Sequence, residues 1–384
     1  MFFNFRGLLK ALRLALFERP FSLRRWAYVL FFTALYLLFV GLVVIGRALD
    51  HVFFPGFKKV DVSRPVFIIA PPRSGTSFLQ KVLSRDEARF VYLKMYQTVF
   101  PSVCFYKLFE AVAGLNALLG GYPGRALEWC ERKWFGGWDD QHRMRMDEPE
   151  EDHALYLFAF AAEAIYMLFP FVDELWEVGF PDALPPADRR RLMAYYRSCL
   201  QRHAHAHGSG RTLLVKSTNA AGCVEALHEE FPEARFITIF RHPYESIASH
   251  VSMFVPAWQA HSPEIAKDGP ESEAYARLAV EWYKHLYAFR AEAAPENFHS
   301  FDYRELRSDP GHAVRALYRH FGWAMDDEFR AKLEEISFRQ RSYQSKHEYS
   351  LEEFGLSEEW VDSRLADVME AYGLKQTARY CGRL

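Results

Sequence analysis

The sequence has little that would mark a secreted or disulfide-stabilised protein. Its five cysteines are widely spaced and form no C-x-x-C pair, which argues against a disulfide framework and against a zinc module. None of its four asparagines stands in an N-x-S/T sequon, so nothing marks a glycosylated surface. We therefore expect the folded part to lie in a reducing compartment.

An excess of charge of either sign is also missing. The 384 residues carry 47 Lys and Arg against 49 Asp and Glu, a net charge of −2. This balance excludes a protein that binds nucleic acid mainly through its overall charge, and also a disordered acidic protein. Half of the residues are apolar and 16% are aromatic, enough for a large buried core.

One long apolar run interrupts this even composition. Residues 26–46 contain no charged side chain over 21 positions, close to the roughly 20 residues that a helix needs to cross the hydrocarbon layer. We predict a transmembrane or deeply inserted helix at 26–46, preceded by a basic amphipathic segment at 1–25 and followed by a linker at 47–64. A buried core helix is the alternative.

The first 25 residues favour a lipid bilayer as a partner. Apolar and basic side chains each recur there at spacings of three and four residues, on two sides of a helix, which is typical of a helix on an anionic membrane surface: Phe2, Phe5, Leu9, Leu12 and Leu16 against Arg6, Lys10 and Arg13. Six basic residues precede the apolar run and four follow it closely. The positive-inside rule then mildly favours a cytoplasmic N-terminus. A complete crossing would place the rest of the chain outside.

Four short apolar runs predict a parallel sheet. They lie at 65–70, 212–215, 235–240 and 298–301, and helical patterns come between them. Strands that are apolar on both faces and alternate with helices indicate an α/β fold whose sheet is covered on both sides. We assign this domain to 65–384, with a helical insertion at about 100–200.

The segment Pro71–Ser77 (PPRSGTS) lies between the first strand and a helix and has the composition of a phosphate-binding turn. Free N–H groups at a helix N-terminus attract anions, and Gly75 permits close approach of the backbone. The segment lacks the G-K-[ST] ending of a Walker A loop, which argues against a nucleoside triphosphatase or kinase.

A second anion-binding segment follows the 235–240 strand. Arg241 can contact a phosphate with two N–H donors, and Ser249 lies about two helical turns further on. No Asp that could hold Mg²⁺ follows this strand, since Arg241 stands there. Two anion sites without a metal are therefore expected.

In these two segments the sequence resembles the sulfotransferases that use 3′-phosphoadenosine 5′-phosphosulfate (PAPS), especially the bacterial branch. The resemblance extends in order over about 61–360, and includes LVKS at 214–217 and YSLEEFGL at 349–356. It implies a P-loop-like sheet flanked by helices, PAPS as the sulfuryl donor, and no metal. It also implies that the donor is bound by Pro72, Arg73, Ser74, Gly75, Thr76, Ser77, Arg241 and Ser249. Lys346 is a further candidate, which could reach the 3′-phosphate from a late loop; an exposed charge is the alternative.

The resemblance further implies that Arg73 and Lys216 are catalytic cations, with Arg73 where many soluble members have lysine. The base is less plain, because the Lys-x-His of those members is Lys216-Ser217-Thr218 here. Golgi-type members use a glutamate as the base, but the best match to that position falls near Gln97, whose amide cannot accept a proton. The acidic segment at 147–153 resembles the bacterial P-x-E-D-E, so the candidate bases are Glu151, Asp152 and His153, in that order. The alternative for this segment is a solvated acidic run at a helix start.

These features together predict a membrane-anchored, PAPS-dependent sulfotransferase. The acceptor is expected to be a hydroxyl group of a lipid or another amphiphilic alcohol, because the linker keeps the catalytic domain close to the bilayer. The alternatives are a phosphoryl transferase and a non-catalytic, membrane-bound nucleotide-binding scaffold. Because PAPS is made in the cytosol, we expect a bacterial enzyme with a cytoplasmic domain. A Golgi type II protein is the eukaryotic alternative.

Overall fold

The computed structural model describes residues 1–118, 145–208, 210–340 and 350–374. These residues contain a parallel sheet of five strands in the order β2-β3-β1-β4-β5. The strands are β1 Val66–Ile69, β2 Phe90–Tyr92, β3 Thr212–Lys216, β4 Arg235–Phe240 and β5 Phe298–Asp302.

The two faces of the sheet are both buried. In β1, Val66 and Ile68 belong to one apolar cluster, whereas Phe67 and Ile69 belong to another. Successive side chains of a strand point to opposite faces, so these clusters lie on the two sides of the sheet. The predicted α/β class with a covered parallel sheet is confirmed.

Helices occupy most of the remaining described residues. The α-helices are α1 Phe5–Arg13, α2 Leu23–Phe53, α3 Thr76–Leu83, α4 Met95–Val99, α5 Val103–Leu118, α6 His153–Leu157, α7 Trp176–Gly179, α8 Pro186–His207, α9 Val224–Glu230, α10 Pro243–His261, α11 Pro270–Glu292, α12 Tyr303–Ser308, α13 Pro310–His320, α14 Asp327–Gln340 and α15 Glu358–Ala371. A π-helical turn at Leu14–Glu18 extends α1. Short 3₁₀ helices lie at Pro55–Lys59, Glu163–Met167, Pro181–Ala183, Asn219–Gly222, Pro295–Asn297 and Glu352–Phe354.

The N-terminal helix α1 is partly built into the domain. Phe2, Leu8 and Ala11 are buried in the apolar cluster that also covers the sheet. Phe5 and Leu9, by contrast, are each 66% exposed. The amphipathic segment therefore divides its apolar side chains between the core and the surface, instead of presenting all of them outward as the sequence pattern predicts.

A buried carboxylate fixes the C-terminal end of α2. Asp50 and Arg202 are each 0% exposed and lie 2.7 Å apart. Asp50 also accepts hydrogen bonds from the Ser102 hydroxyl and from the N–H groups of Val103 and Cys104. One side chain thus caps the N-terminus of α5 and pairs α2 with α8.

The boundaries differ from the sequence-based ones in two places. Helix α2 is longer than the predicted 26–46 and extends to Phe53, inside the predicted linker. The short strand β2 was not predicted at all. The described part of 100–200 contains helices α5 to α8 and no strand.

Candidate active site

Several chain segments meet at the carboxyl edge of the sheet, where β1 lies between β3 and β4. In open parallel sheets the crevice at such a point is where ligands bind. The loop after β1, the end of β3, the loop after β4 and the start of α12 all reach this edge. The two anion-binding segments predicted from the sequence are therefore neighbours in space.

The turn Pro71–Ser77 leads from β1 into α3. Gly75 has a φ of +85° and Arg73 a φ of +61°. A Cβ atom on Gly75 would lie 3.0 Å from the Tyr303 ring, so glycine meets both the backbone and the space requirement. Since α3 begins at Thr76, its first N–H groups have no acceptor inside the helix and are available to an anion.

Two of the predicted donor-binding serines have different surroundings. Ser74 is 0% exposed, and its hydroxyl donates to the Pro72 carbonyl at 3.5 Å. The Ser77 hydroxyl instead accepts a hydrogen bond from the Lys216 ammonium. The Ser77 side chain thus contacts Lys216, a candidate catalytic residue, whereas the Ser74 side chain stabilises the turn.

The arginines of the two segments lie side by side. The Arg241 guanidinium donates to the Arg73 carbonyl oxygen at 2.9 Å, and Arg73 Nε donates to the Ser249 hydroxyl at 3.2 Å. Arg241 also pairs with Glu245 at 2.7 Å and lies 4.9 Å from the centre of the Tyr303 ring. The structure therefore brings Arg73, Arg241 and Ser249 together.

Lys216 is the last residue of β3 and is only 2% exposed. Its ammonium lies 2.7 Å from the Ser77 hydroxyl and 3.0 Å from a carboxylate oxygen of Glu151. A buried ammonium needs such partners, because an unpaired charge away from water is costly. Lys216 thus connects the turn Pro71–Ser77 to the acidic segment at 147–153.

Glu151 is the candidate base that faces the crevice. The Thr218 hydroxyl donates to the Glu151 carboxylate at 3.2 Å, and the Glu151 side chain is 24% exposed. Thr218 stands where the soluble members have histidine. The carboxylate of Glu151 therefore lies beside the side chain at this position.

Asp152 and His153 are arranged differently. Asp152 is 0% exposed and its carboxylate accepts from the Tyr196 hydroxyl at 2.6 Å. Burial raises the pKa of Asp152 to about 7. Ionising this group therefore costs free energy, and its contribution to stability decreases as the pH rises from about 4 to about 7. His153 Nε2 accepts the Ala164 N–H, and its Nδ1 lies 4.0 Å from Glu151.

Sequence reasoning missed several supporting residues of the site. The Ser246 hydroxyl donates to the Pro72 carbonyl, and the Tyr283 hydroxyl donates to the Arg241 carbonyl. Tyr303, at the start of α12, contacts both Gly75 and Arg241. Only Tyr303 had a usable signal, because it follows a predicted strand and so belongs at the carboxyl edge. The remaining candidate, Lys346, lies outside the described residues.

A possible metal-ligating group lies elsewhere among the described residues. Asp182, Glu225 and His285 place their ligand atoms within 4.8 Å of one another. Asp182 accepts the N–H groups of Glu225 and Ala226 and lies 2.8 Å from His285. The contacts of Asp182 are those of a cap at the start of α9.

Comparison with known proteins identifies the family. A model described as "Sulfotransferase family" matches residues 65–327, which include the phosphate-binding turn, Glu151, Lys216, Arg241 and Ser249. The chain belongs to the sulfotransferase family. The predicted enzyme class is thereby confirmed. The residue roles within the sulfotransferase stay predictions.

Individual relatives agree with this assignment. The chain is 22% identical over 369 residues to the omega-hydroxy-beta-dihydromenaquinone-9 sulfotransferase Stf3 of Mycobacterium bovis, covering 91% of this chain and 84% of the relative. The same protein of Mycobacterium tuberculosis matches equally. The fold resembles the crystal structure of sulfotransferase STF9 from Mycobacterium avium, with a TM-score of 0.71, 18% identity and 97% coverage of both chains. STF1 from M. tuberculosis gives 0.64 at 20% identity, covering 94% of this chain and 91% of that one.

Proposed function

We propose that this sulfotransferase moves a sulfuryl group from PAPS to the hydroxyl group of a lipid-like alcohol dissolved in the membrane. The observation that carries the proposal is the position of Lys216. Its ammonium is held between Ser77 of the phosphate-binding turn and the carboxylate of Glu151. A fixed cation between an anion-binding turn and a base is what sulfuryl transfer to an alcohol requires.

The residues at the carboxyl edge fit PAPS as the donor that is typical of the family. The turn before α3 offers N–H donors, and Arg73, Lys216 and Arg241 supply positive charge at the same edge. When bound, PAPS supplies a sulfuryl group attached to a phosphate that becomes the leaving group. We assign Lys216 and Arg73 to stabilise the negative charge on that phosphate, and Arg241 with Ser249 to hold the 3′-phosphate.

We assign the general base to Glu151, since an acceptor hydroxyl must lose a proton as it takes the sulfuryl group. Its carboxylate is close to Lys216 and is accessible from the crevice. Asp152 points towards Tyr196 in the core, and the Nε2 atom of His153 is engaged by a backbone N–H. Both remain candidates and are compared with Glu151 below.

The acceptor is assigned from the relatives and from the position of the site. Stf3 is by name a sulfotransferase of an omega-hydroxy menaquinone derivative, a lipid alcohol. In the present chain, α6 begins two residues after Glu151 and ends at Leu157, whose carbonyl accepts the Tyr36 hydroxyl of α2 at 2.8 Å. Five helical residues extend about 8 Å. The site thus lies close to the long apolar helix α2, which favours an acceptor dissolved in lipid.

Donor binding is expected to be independent of metal. In the presence of EDTA, 3′,5′-ADP should bind the purified protein. The Arg241→Ala variant should bind it about 10- to 150-fold more weakly, because charge-assisted hydrogen bonds are lost. Ser249→Ala should show a smaller loss. Calorimetric titration measures both affinities.

The matched control for this titration is Arg64→Ala. Arg64 is exposed, pairs with Glu233 and precedes β1 at the opposite edge of the sheet, so its loss should leave nucleotide affinity unchanged. Nucleotide binding that appears only with Mg²⁺ would contradict the donor assignment and favour the phosphoryl transferase instead.

The acceptor assignment predicts where a sulfur label goes. With ³⁵S-labelled PAPS and vesicles of extracted bacterial lipid, the label should appear in the organic phase at a rate well above that with water-soluble alcohols. Vesicles whose lipid hydroxyl groups have been acetylated serve as the control. Labelling of soluble alcohols alone would contradict a lipid acceptor and would leave the donor assignment intact. Absence of all transfer by a nucleotide-binding protein would favour the non-catalytic scaffold.

We place the catalytic domain on the cytoplasmic side of the membrane, where PAPS is made. A domain that rests on that side can bind PAPS from the cytosol and can reach an acceptor dissolved in the adjoining leaflet.

A further inference from the structure

The apolar helix α2 lies against the catalytic domain along its whole length. One stripe of the helix is buried or half-buried, and its members recur every three or four residues: Arg25, Val29, Thr33, Tyr36, Val40, Val43, Arg47 and Asp50. A helix that crossed a bilayer away from its domain would bury no such continuous stripe.

Contacts at both ends and in the middle hold α2 on the domain. At the start, Arg25 pairs with Glu264 at 2.7 Å. In the middle, Tyr36 donates to the Leu157 carbonyl. At the end, Asp50 forms the buried pair with Arg202 described above. All three partners belong to the sulfotransferase domain, so both ends of the 31-residue helix remain beside it.

The opposite face of α2 is apolar and exposed. The described residues include 23 large apolar side chains that are exposed, and 22 of them belong to residues 1–53 or to α5. Helix α5 contacts α2 and contributes Leu108, Val112, Leu115 and Leu118. An exposed apolar surface of this extent marks an interaction site. We call this surface, formed by residues 1–53 and α5, the apolar flank.

We infer that the apolar flank inserts sideways into one leaflet of an anionic phospholipid bilayer, with α2 parallel to the membrane plane and both of its ends on the same side. This inference rests on the membrane association in the proposed function, and not on the identity of the acceptor. It differs from a membrane crossing, which length and hydropathy alone would equally allow.

Charge identifies the occupant as a lipid surface. Arg6, Lys10 and Arg13 of α1 are exposed next to Phe5 and Leu9, and this mixture of basic and apolar side chains suits anionic headgroups above acyl chains. The exposed basic residues on both sides of the apolar run, five before it and three after it, also agree with two ends on one side, since each set favours the cytoplasmic face. A second copy of the chain would bring the basic groups together.

The two orientations differ in how deep successive turns of α2 lie. Phe31, Leu38 and Ile45 are 63%, 60% and 57% exposed and are spaced by seven residues, so they share one face of the helix and replacing them leaves its buried stripe unchanged. The first and last are about 21 Å apart along the axis. Single cysteines at these positions, labelled with a fluorophore, report depth through quenching by lipids that carry nitroxides at known positions.

The measurement uses full-length protein on vesicles of equal parts phosphatidylcholine and phosphatidylglycerol, in a background with Cys104, Cys130 and Cys381 replaced by serine. For Phe31→Cys, Leu38→Cys and Ile45→Cys we expect equal depths, about 5–10 Å below the headgroups. The matched control is Phe338→Cys. Phe338 is 77% exposed but lies outside the apolar flank, so its label should stay in water.

Other outcomes would overturn the inference. A label at 38 near the bilayer centre, with labels at 31 and 45 near opposite surfaces, would mean that α2 crosses the membrane. The proposed lipid acceptor would survive that result. Absence of quenching at all three positions, together with a dimer in solution, would assign the apolar flank to a second copy and also refute membrane association. Sulfuryl transfer is tested separately by the label assay.

Discussion

Replacing Glu151 by glutamine should slow sulfuryl transfer by about 10²- to 10⁴-fold, the usual contribution of a general base. The amide keeps the size of the side chain but cannot accept a proton from the acceptor hydroxyl. In single-turnover experiments the unmodified protein should react faster as the base loses its proton, and Glu151→Gln should lose this pH dependence. Its affinity for 3′,5′-ADP should change little, because Glu151 is not among the residues that we assign to bind the donor phosphates.

Three comparisons make this result specific. Glu148→Gln is the matched control, since Glu148 pairs with Lys81 at the surface, and it should retain the full rate. Asp152→Asn and His153→Ala test the other candidates under the same conditions. A full rate with an unchanged pH profile in Glu151→Gln, combined with a large loss in one of the other two, would reassign the base to that residue.

Removing the ammonium of Lys216 should lower the turnover number by about 10²- to 10³-fold, comparable with the loss of one fixed charge-stabilising donor. Charge on the leaving phosphate grows towards the transition state, so the affinity for 3′,5′-ADP should decrease far less. Lys216→Met is preferable to Lys216→Ala, because an unbranched side chain of similar length keeps the buried site filled. Arg73→Ala should show the same division between turnover and affinity.

Lys81→Met is the control for Lys216→Met. Lys81 lies on α3 and its side chain is 50% exposed, so its replacement should alter neither quantity. Steady-state rates and nucleotide titrations on the same samples give the comparison. Equal losses of turnover and affinity in Lys216→Met would show that Lys216 only binds the donor.

The sheet could be predicted from the sequence because its strands are apolar on both faces. In runs such as Phe236–Phe240 the side chains on both faces are almost all apolar. Each run is followed by the start of a helix. The edge strand β2 has three residues, too few for a recognisable pattern. Its position also depends on pairing with β3, to which it is joined by more than a hundred residues of chain.

Part of the candidate site could also be predicted from the sequence. Arg73, Lys216 and Arg241 could be named because each ends or follows a parallel strand, and those ends share one edge of the sheet. Which acidic residue approaches Lys216 could not be derived. Glu151 and Asp152 are adjacent in the sequence, yet one carboxylate faces the crevice and the other faces Tyr196 in the core, a difference set by tertiary packing.

Hydropathy alone could not predict that α2 packs against the domain. Val29, Thr33 and Val43 are buried against protein, but they would serve as well against lipid, since both surroundings are apolar. Only polar contacts with distant residues separate the two cases. The ion pair of Arg25 with Glu264 is such a contact, and no pattern in the local sequence predicts it.

The buried pair of Asp50 and Arg202 cannot form until the ribosome has synthesised both residues. The two residues are 152 positions apart, and at about 5–20 residues per second a ribosome needs about 8 to 30 s to travel from one to the other. During that time α2 has left the ribosome without α8, the partner for its C-terminal end. If the apolar flank binds lipid as proposed, a membrane surface can receive this helix before the nucleotide-binding fold has been synthesised.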